Sequence, residues 1–121
     1  MYQIDFNRPV WVHFIGIGGI SMSGLAEVLL GRNFKVSGSD MHASPLTDRL
    51  QNEGAQVAIG QRAENIVDGI DVVVYTAAVH SDNPEFAEAV RRELPMLTRA
   101  ELLGQMMKNY GTAVAVAGTH G

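Results

Sequence analysis

The chain has 121 residues, 46% of them hydrophobic, and its 9 Lys and Arg stand against 13 Asp and Glu for a formal charge of -4. That length encloses one core of ordinary domain size, and the acidic balance disfavours a nucleic-acid backbone or an anionic membrane as main partner. Absence of cysteine excludes disulfides and thiolate metal sites, the spread of His13, His42, His80 and His120 suggests no zinc motif, and nothing resembles a signal peptide or an uninterrupted membrane span, so a cytoplasmic protein is expected.

Short apolar runs alternate with amphipathic ones, the sequence form of an α/β protein with a parallel sheet. VWVHFIGI, residues 10 to 17, has the near-continuous apolar character of a central strand covered on both faces. Residues 19 to 31 place Ile20, Leu25, Val28 and Leu29 at helical spacing, with Gly31 as a stop. FKVSGSD, residues 34 to 40, is a second strand ending in an acid. Ser44 and Pro45 read as N-cap and first position of a helix that Gly54 closes. AQVAIG is a third strand, followed by a short helix near residues 62 to 68. DVVVYTAAV, residues 71 to 79, is the strongest strand signal. Asn83, Pro84 and Glu85 open a helix reaching about Arg92. A short strand in PMLT, a helix through AELLGQMMKNY and an apolar run, TAVAVAG, follow. The fold class expected is therefore a Rossmann-like, three-layer, doubly wound parallel sheet of about five strands in the order 3-2-1-4-5, plus an orphan C-terminal strand. Because that last run lacks a crossover helix, residues 1 to 110 are expected to form one domain and residues 111 to 121 the start of another. An exposed apolar run seeks a partner, so residues 112 to 118 are expected to be disordered or to pair with a sheet edge. A dimer made through them would be an artefact of truncation.

The turn from the first strand into the first helix carries Gly16, Gly18 and Gly19. Such a turn offers backbone N–H groups and the positive end of a helix dipole, and glycines let a pyrophosphate approach the main chain. Gly24, one turn further on, is expected to let the helix pack closely on the sheet. The dinucleotide spacing G-x-G-x-x-G is incomplete, because position 21 is Ser21. Asp40 ends the second strand about 24 residues after Gly16, near the offset of about 20 at which an acid meets ribose hydroxyls; it equally suits capping of its own loop. In the expected strand order the crevice opens between strands one and four. Thr76, Ala77 and Ala78 then supply a wall of small residues, with Thr76 a donor. His80 reads as a solvated loop residue or a phosphate or sugar contact. Arg99 either reaches the crevice or pairs with Glu85 or Glu101 on the surface.

The ordered set GIGGISMSG, VSGSD, TAAVHSDNPE, LTRAELL and VAGTHG resembles the N-terminal part of the Mur ligases over nearly the whole chain, and within that family the branch that joins L-alanine to UDP-N-acetylmuramate in peptidoglycan synthesis. The resemblance implies a Rossmann-like domain that binds a UDP-sugar. By matching position, Gly16, Ile17, Gly18 and Gly19 would hold its diphosphate and Asp40 would lie by its ribose. Ser21, Thr76, Ala77, Ala78, His80 and Arg99 would complete the site. Ser21 departs from the family pattern, which has glycine there, and a serine narrows the site or donates to the ligand. Gly118, Thr119, His120 and Gly121 match the opening of the family's ATP-cradling loop. The lysine and the magnesium-binding hydroxyl that continue that loop are absent, so no ligation is expected from these residues alone. The family reaction uses ATP and Mg2+ to make an acyl phosphate on the muramoyl carboxylate, which the amine of L-alanine attacks. The competing readings are a murein tripeptide recycling ligase, an NAD-binding module and a unit that serves only folding or docking.

Overall fold

The computed structural model describes residues 1 to 111. Five strands, β1 (Trp11–Ile15), β2 (Lys35–Asp40), β3 (Gln56–Ile59), β4 (Val72–Tyr75) and β5 (Met96–Thr98), form one parallel sheet in the order β3-β2-β1-β4-β5. Four helices connect or follow them: α1 (Ile20–Gly31), α2 (Pro45–Asn52), α3 (Pro84–Arg91) and α4 (Arg99–Tyr110). This is the doubly wound order expected from the alternation of runs.

Alternate residues of each strand serve opposite layers. Val12 and Phe14 of β1, with Val72 and Val74 of β4, join Met22, Leu25, Ala26 and Leu29 of α1, Leu50 of α2 and Leu102 and Met106 of α4 in the larger core. Ile15 and Val73 face the other way, onto Ile66, Ile70 and Ala89. Ile20, expected on the buried stripe of α1, is instead 63% exposed. Gly24, expected to let α1 pack closely on the sheet, is half-buried and borders a groove with Leu46 and Arg49 of α2.

Ends and connections follow local chemistry. Ser44 caps α2 in a reciprocal capping box with Thr47, Pro45 opens the helix, and Gly54, at φ +112°, ends it. The stop of α1 is Asn33, at φ 70°, not Gly31: the Asn33 and Phe34 N–H groups return to the Leu30 and Leu29 carbonyls, the pattern of a left-handed helix cap. The segment expected as a short helix is a single 3-10 turn at Ala63–Asn65. β4 ends at Tyr75 rather than near residue 79, because the Val79 N–H bonds to the Thr76 carbonyl and turns the chain outward. The apolar run TAVAVAG and the sequence Gly118, Thr119, His120 and Gly121 lie outside the described residues, as does any pairing made through them. Among the described residues no helix is long and apolar enough to cross a membrane.

Candidate functional site

The C-terminal ends of β1 and β4 diverge into a crevice of about 610 Å³ at the point where the strand order reverses, the place at which open α/β sheets take ligands. Gly16, Gly19 and Ser21 line one side, Thr76, Ala78 and His80 the other, and Arg99 one end. Ala77 and Arg99 border an adjoining cavity of about 290 Å³ with Thr98. Ile17, Gly18 and Asp40 do not line the crevice.

The glycine turn is internally satisfied. Gly16, at φ +87°, turns the chain, and the Gly16 and Ile17 N–H groups both donate to the Ser39 carbonyl, at 2.8 and 2.9 Å. Gly18 N–H donates to Asp40 Oδ2 at 2.8 Å, and Gly19 N–H to the Gly16 carbonyl at 3.2 Å. Asp40 therefore caps the turn, its Oδ1 accepting from Met41 N–H at 2.9 Å. A Cβ on Gly18 would sit 2.8 Å from Asp40 Oδ2 and 2.9 Å from Thr47 Cγ2, so close packing of the protein on itself already requires glycine there. The Ile17 side chain is fully buried in the larger core. The expected donors, the amides of residues 16 to 19, are thus engaged within the fold.

The free donors lie one step further along. Gly19 is the N-cap of α1 and supplies no side-chain cap, and among the described residues nothing accepts from the Ile20, Ser21 or Met22 N–H. Three orphan amides and the helix dipole make this helix start a place for an anion. Arg99, the first residue of α4, reaches across to it: its guanidinium donates to Ser21 Oγ at 3.3 Å. Glu101 does not compete for Arg99, because it closes the capping box of α4 with Thr98. Glu85 is buried and faces elsewhere. Among the described residues no carboxylate forms an ion pair with Arg99. Ser21 thus ties the cation to the first turn of α1. The Thr76 hydroxyl accepts from Ala78 N–H at 3.3 Å, and His80 lies exposed on the same loop.

Sequence reasoning missed Gln61, Asp82 and Asn83 among the polar residues that line the crevice. Asn83 was legible only as a helix cap, and Gln61 follows a strand two places from the crevice, with no pattern to mark it. Also missed was the bracket behind the wall. Glu85 Oε1 accepts from His13 Nε2 at 2.7 Å and Ser39 Oγ at 2.9 Å, and Oε2 accepts from Asn65 Nδ2 at 2.8 Å and Arg62 N–H at 3.2 Å. This fixes the start of α3 and the loop after β3 to the two central strands.

The family model described as "Mur ligase family, catalytic domain" matches residues 11–111. The chain is 63% identical over 121 residues to the UDP-N-acetylmuramate--L-alanine ligase of Lachnospira eligens, covering 100% of this chain and 26% of that protein. Among solved structures, the UDP-N-acetylmuramate-alanine ligase of Thermotoga maritima superposes with a TM-score of 0.77 at 33% identity, over 81% of this chain and 23% of that one. The UDP-N-acetylmuramate:L-alanyl-gamma-D-glutamyl-meso-diaminopimelate ligase of Neisseria meningitides gives 0.74 at 26% identity, over 85% and 32%. The chain thus spans about a quarter of the length of the curated relatives it matches.

Proposed function

Because the chain belongs to the Mur ligase family, we propose that it forms the UDP-sugar-binding part of an ATP-dependent ligase joining L-alanine to UDP-N-acetylmuramate. The observation that carries this reading is the uncapped start of α1 with Arg99, which makes no ion pair among the described residues, tied to it by Ser21. A diphosphate brings charge and acceptor oxygens to orphan amides and a guanidinium, each charge-assisted hydrogen bond contributing about 1.5–3 kcal/mol. The name of a relative 63% identical supports the choice of nucleotide and sugar. In this reading residues 1 to 110 are the UDP-sugar domain and residues 111 to 121 lead into the ATP-binding one, where Gly118, Thr119, His120 and Gly121 begin the phosphate loop. The same reading puts the protein in the cytoplasm.

The chain's own part in the reaction is to bind and orient. The Ile20, Ser21 and Met22 amides and Arg99 would fix the diphosphate, and Ala77, Ala78 and Thr76 would leave room for the attached sugar, so that its carboxylate is directed to the phosphorylating ATP. Asp40, by capping Gly18, would hold the turn and still offer lone pairs to the ribose. Magnesium would stabilise the transferring phosphoryl group. Among the described residues no group of three or more His, Asp or Glu is placed to hold a metal ion, and none of them is assigned to it.

Calorimetric titration of the chain with UDP-N-acetylmuramate tests the reading, with NADH as control. Saturable binding of the UDP-sugar and none of NADH is expected. Binding of NADH alone would transfer the crevice to a dinucleotide, and binding of neither would leave the domain a docking unit.

A further inference from the structure

The crevice wall facing α1 carries two neutral amides whose orientations determine each other. Asn83 is the N-cap of α3, and its Oδ1 accepts from the Glu85 and Phe86 N–H groups at 2.9 and 3.2 Å. A side-chain amide has one oxygen, so Nδ2 must point away from the helix. It donates to Gln61 Oε1 at 2.6 Å. That contact sets the Gln61 amide in turn: with the oxygen held by Asn83, Nε2 is the end left to offer hydrogen bonds. Gln61 lines the crevice, and among the described residues nothing accepts from its Nε2.

The main chain around Gln61 is fixed with the same economy. Gly60 N–H donates to the Asp40 carbonyl at 2.8 Å, and Arg62 N–H donates to Glu85 Oε2 at 3.2 Å. Asn65 Nδ2 bridges the Gly60 carbonyl and Glu85 Oε2, at 3.0 and 2.8 Å. A half-buried amide held at both backbone neighbours and at its oxygen is preorganised, which lowers the entropy cost of using its remaining donor.

We infer that Gln61 determines specificity for the UDP-sugar: its Nε2–H donates to an acceptor oxygen on the sugar-diphosphate portion, and Asn83 and Glu85 are its positioning residues. The inference rests on the reading of the crevice as the UDP-sugar site. A ligand without an oxygen at that place leaves the donor unpaired on binding, and such mismatches discriminate more strongly than added contact area does.

Two uncharged variants test it. Gln61→Met keeps the length of the side chain and removes the donor. Asn83→Ser keeps a good N-cap but is too short to hold the glutamine oxygen, so Nε2 loses its fixed direction. For UDP-N-acetylmuramate, affinity is expected to fall about tenfold in Gln61→Met and severalfold in Asn83→Ser, the loss of about one hydrogen bond. The melting temperature of ligand-free Asn83→Ser is expected to stay near that of the parent chain, a split that a merely structural role would not give. Affinity within about twofold of the parent in Gln61→Met overturns the inference whatever Asn83→Ser does. If the parent chain itself does not bind the UDP-sugar, the reading of the crevice falls and this inference with it.

Discussion

Glu85 carries a buried carboxylate with every strong acceptor direction filled, and the donors around it form an ordered chain. Glu85 Oε1 can only accept, so His13 Nε2 carries the hydrogen that faces it at 2.7 Å, while His13 Nδ1 pairs with Ser37 Oγ at 2.8 Å and that oxygen also accepts from Trp11 Nε1–H at 2.8 Å. Burial raises the Glu85 carboxyl, but the hydrogen bonds from His13, Asn65 and Ser39 together outweigh it, and the net shift is downward from 4.5. A carboxyl lowered in the folded state adds stability above its unfolded value that disappears as pH falls through the folded one. Stability measured by chemical denaturation is therefore expected to decline as pH drops below about 4.5. Glu85→Gln should flatten that decline and cost about 3 kcal/mol at neutral pH, because the amide nitrogen would face the Arg62 N–H and the Asn65 amide, two donors without an acceptor. An unchanged pH profile in the variant would remove Glu85 from this role. None of this was legible in the sequence, where NPE reads only as a helix start, since the partners lie 20 to 72 positions away. Asp40 was half legible: the sequence left open whether it meets ribose or caps its loop, and the bond to Gly18 N–H accounts for the capping half.

At the scale of elements, period and punctuation carried the architecture. Continuous apolar runs became the strands, and Ser44-Pro45 and Asn83-Pro84 became helix starts because their side-chain oxygens satisfy first-turn amides. The third crossover, expected as a short helix near residues 62 to 68, keeps only the 3-10 turn at Ala63–Asn65; beyond it Gly69, at φ +104°, turns the chain against the face of Trp11, where a Cβ would lie 3.0 Å from the ring. Gly38 shows what the β1–α1 turn asks of its neighbour strand. A Cβ there would meet Ile17 Cβ at 2.6 Å and the Phe14 carbonyl at 2.7 Å, and neither can swing aside, one being core and the other backbone. Gly38→Ala is accordingly expected to destabilise the fold by about 1–3 kcal/mol. A melting temperature equal to that of the parent would show that the turn is softer than this packing implies.

Over the whole molecule, strand order places the crevice and the glycine turn braces it. The turn amides at residues 16, 17, 18 and 19 face inward, onto Ser39, Asp40 and Gly16. The amides that face outward belong to the first turn of α1, opposite Arg99. Glycine spacing could mark the neighbourhood of the site but not this division of labour, which depends on where β2 ends. Amide hydrogen exchange with and without UDP-N-acetylmuramate at millimolar concentration tests the division most directly. The Ile20, Ser21 and Met22 amides are expected to slow on addition of the UDP-sugar, while the Gly16, Ile17 and Gly18 amides, bonded already, change little. Binding of the UDP-sugar with no added protection at residues 20 to 22 would contradict the account.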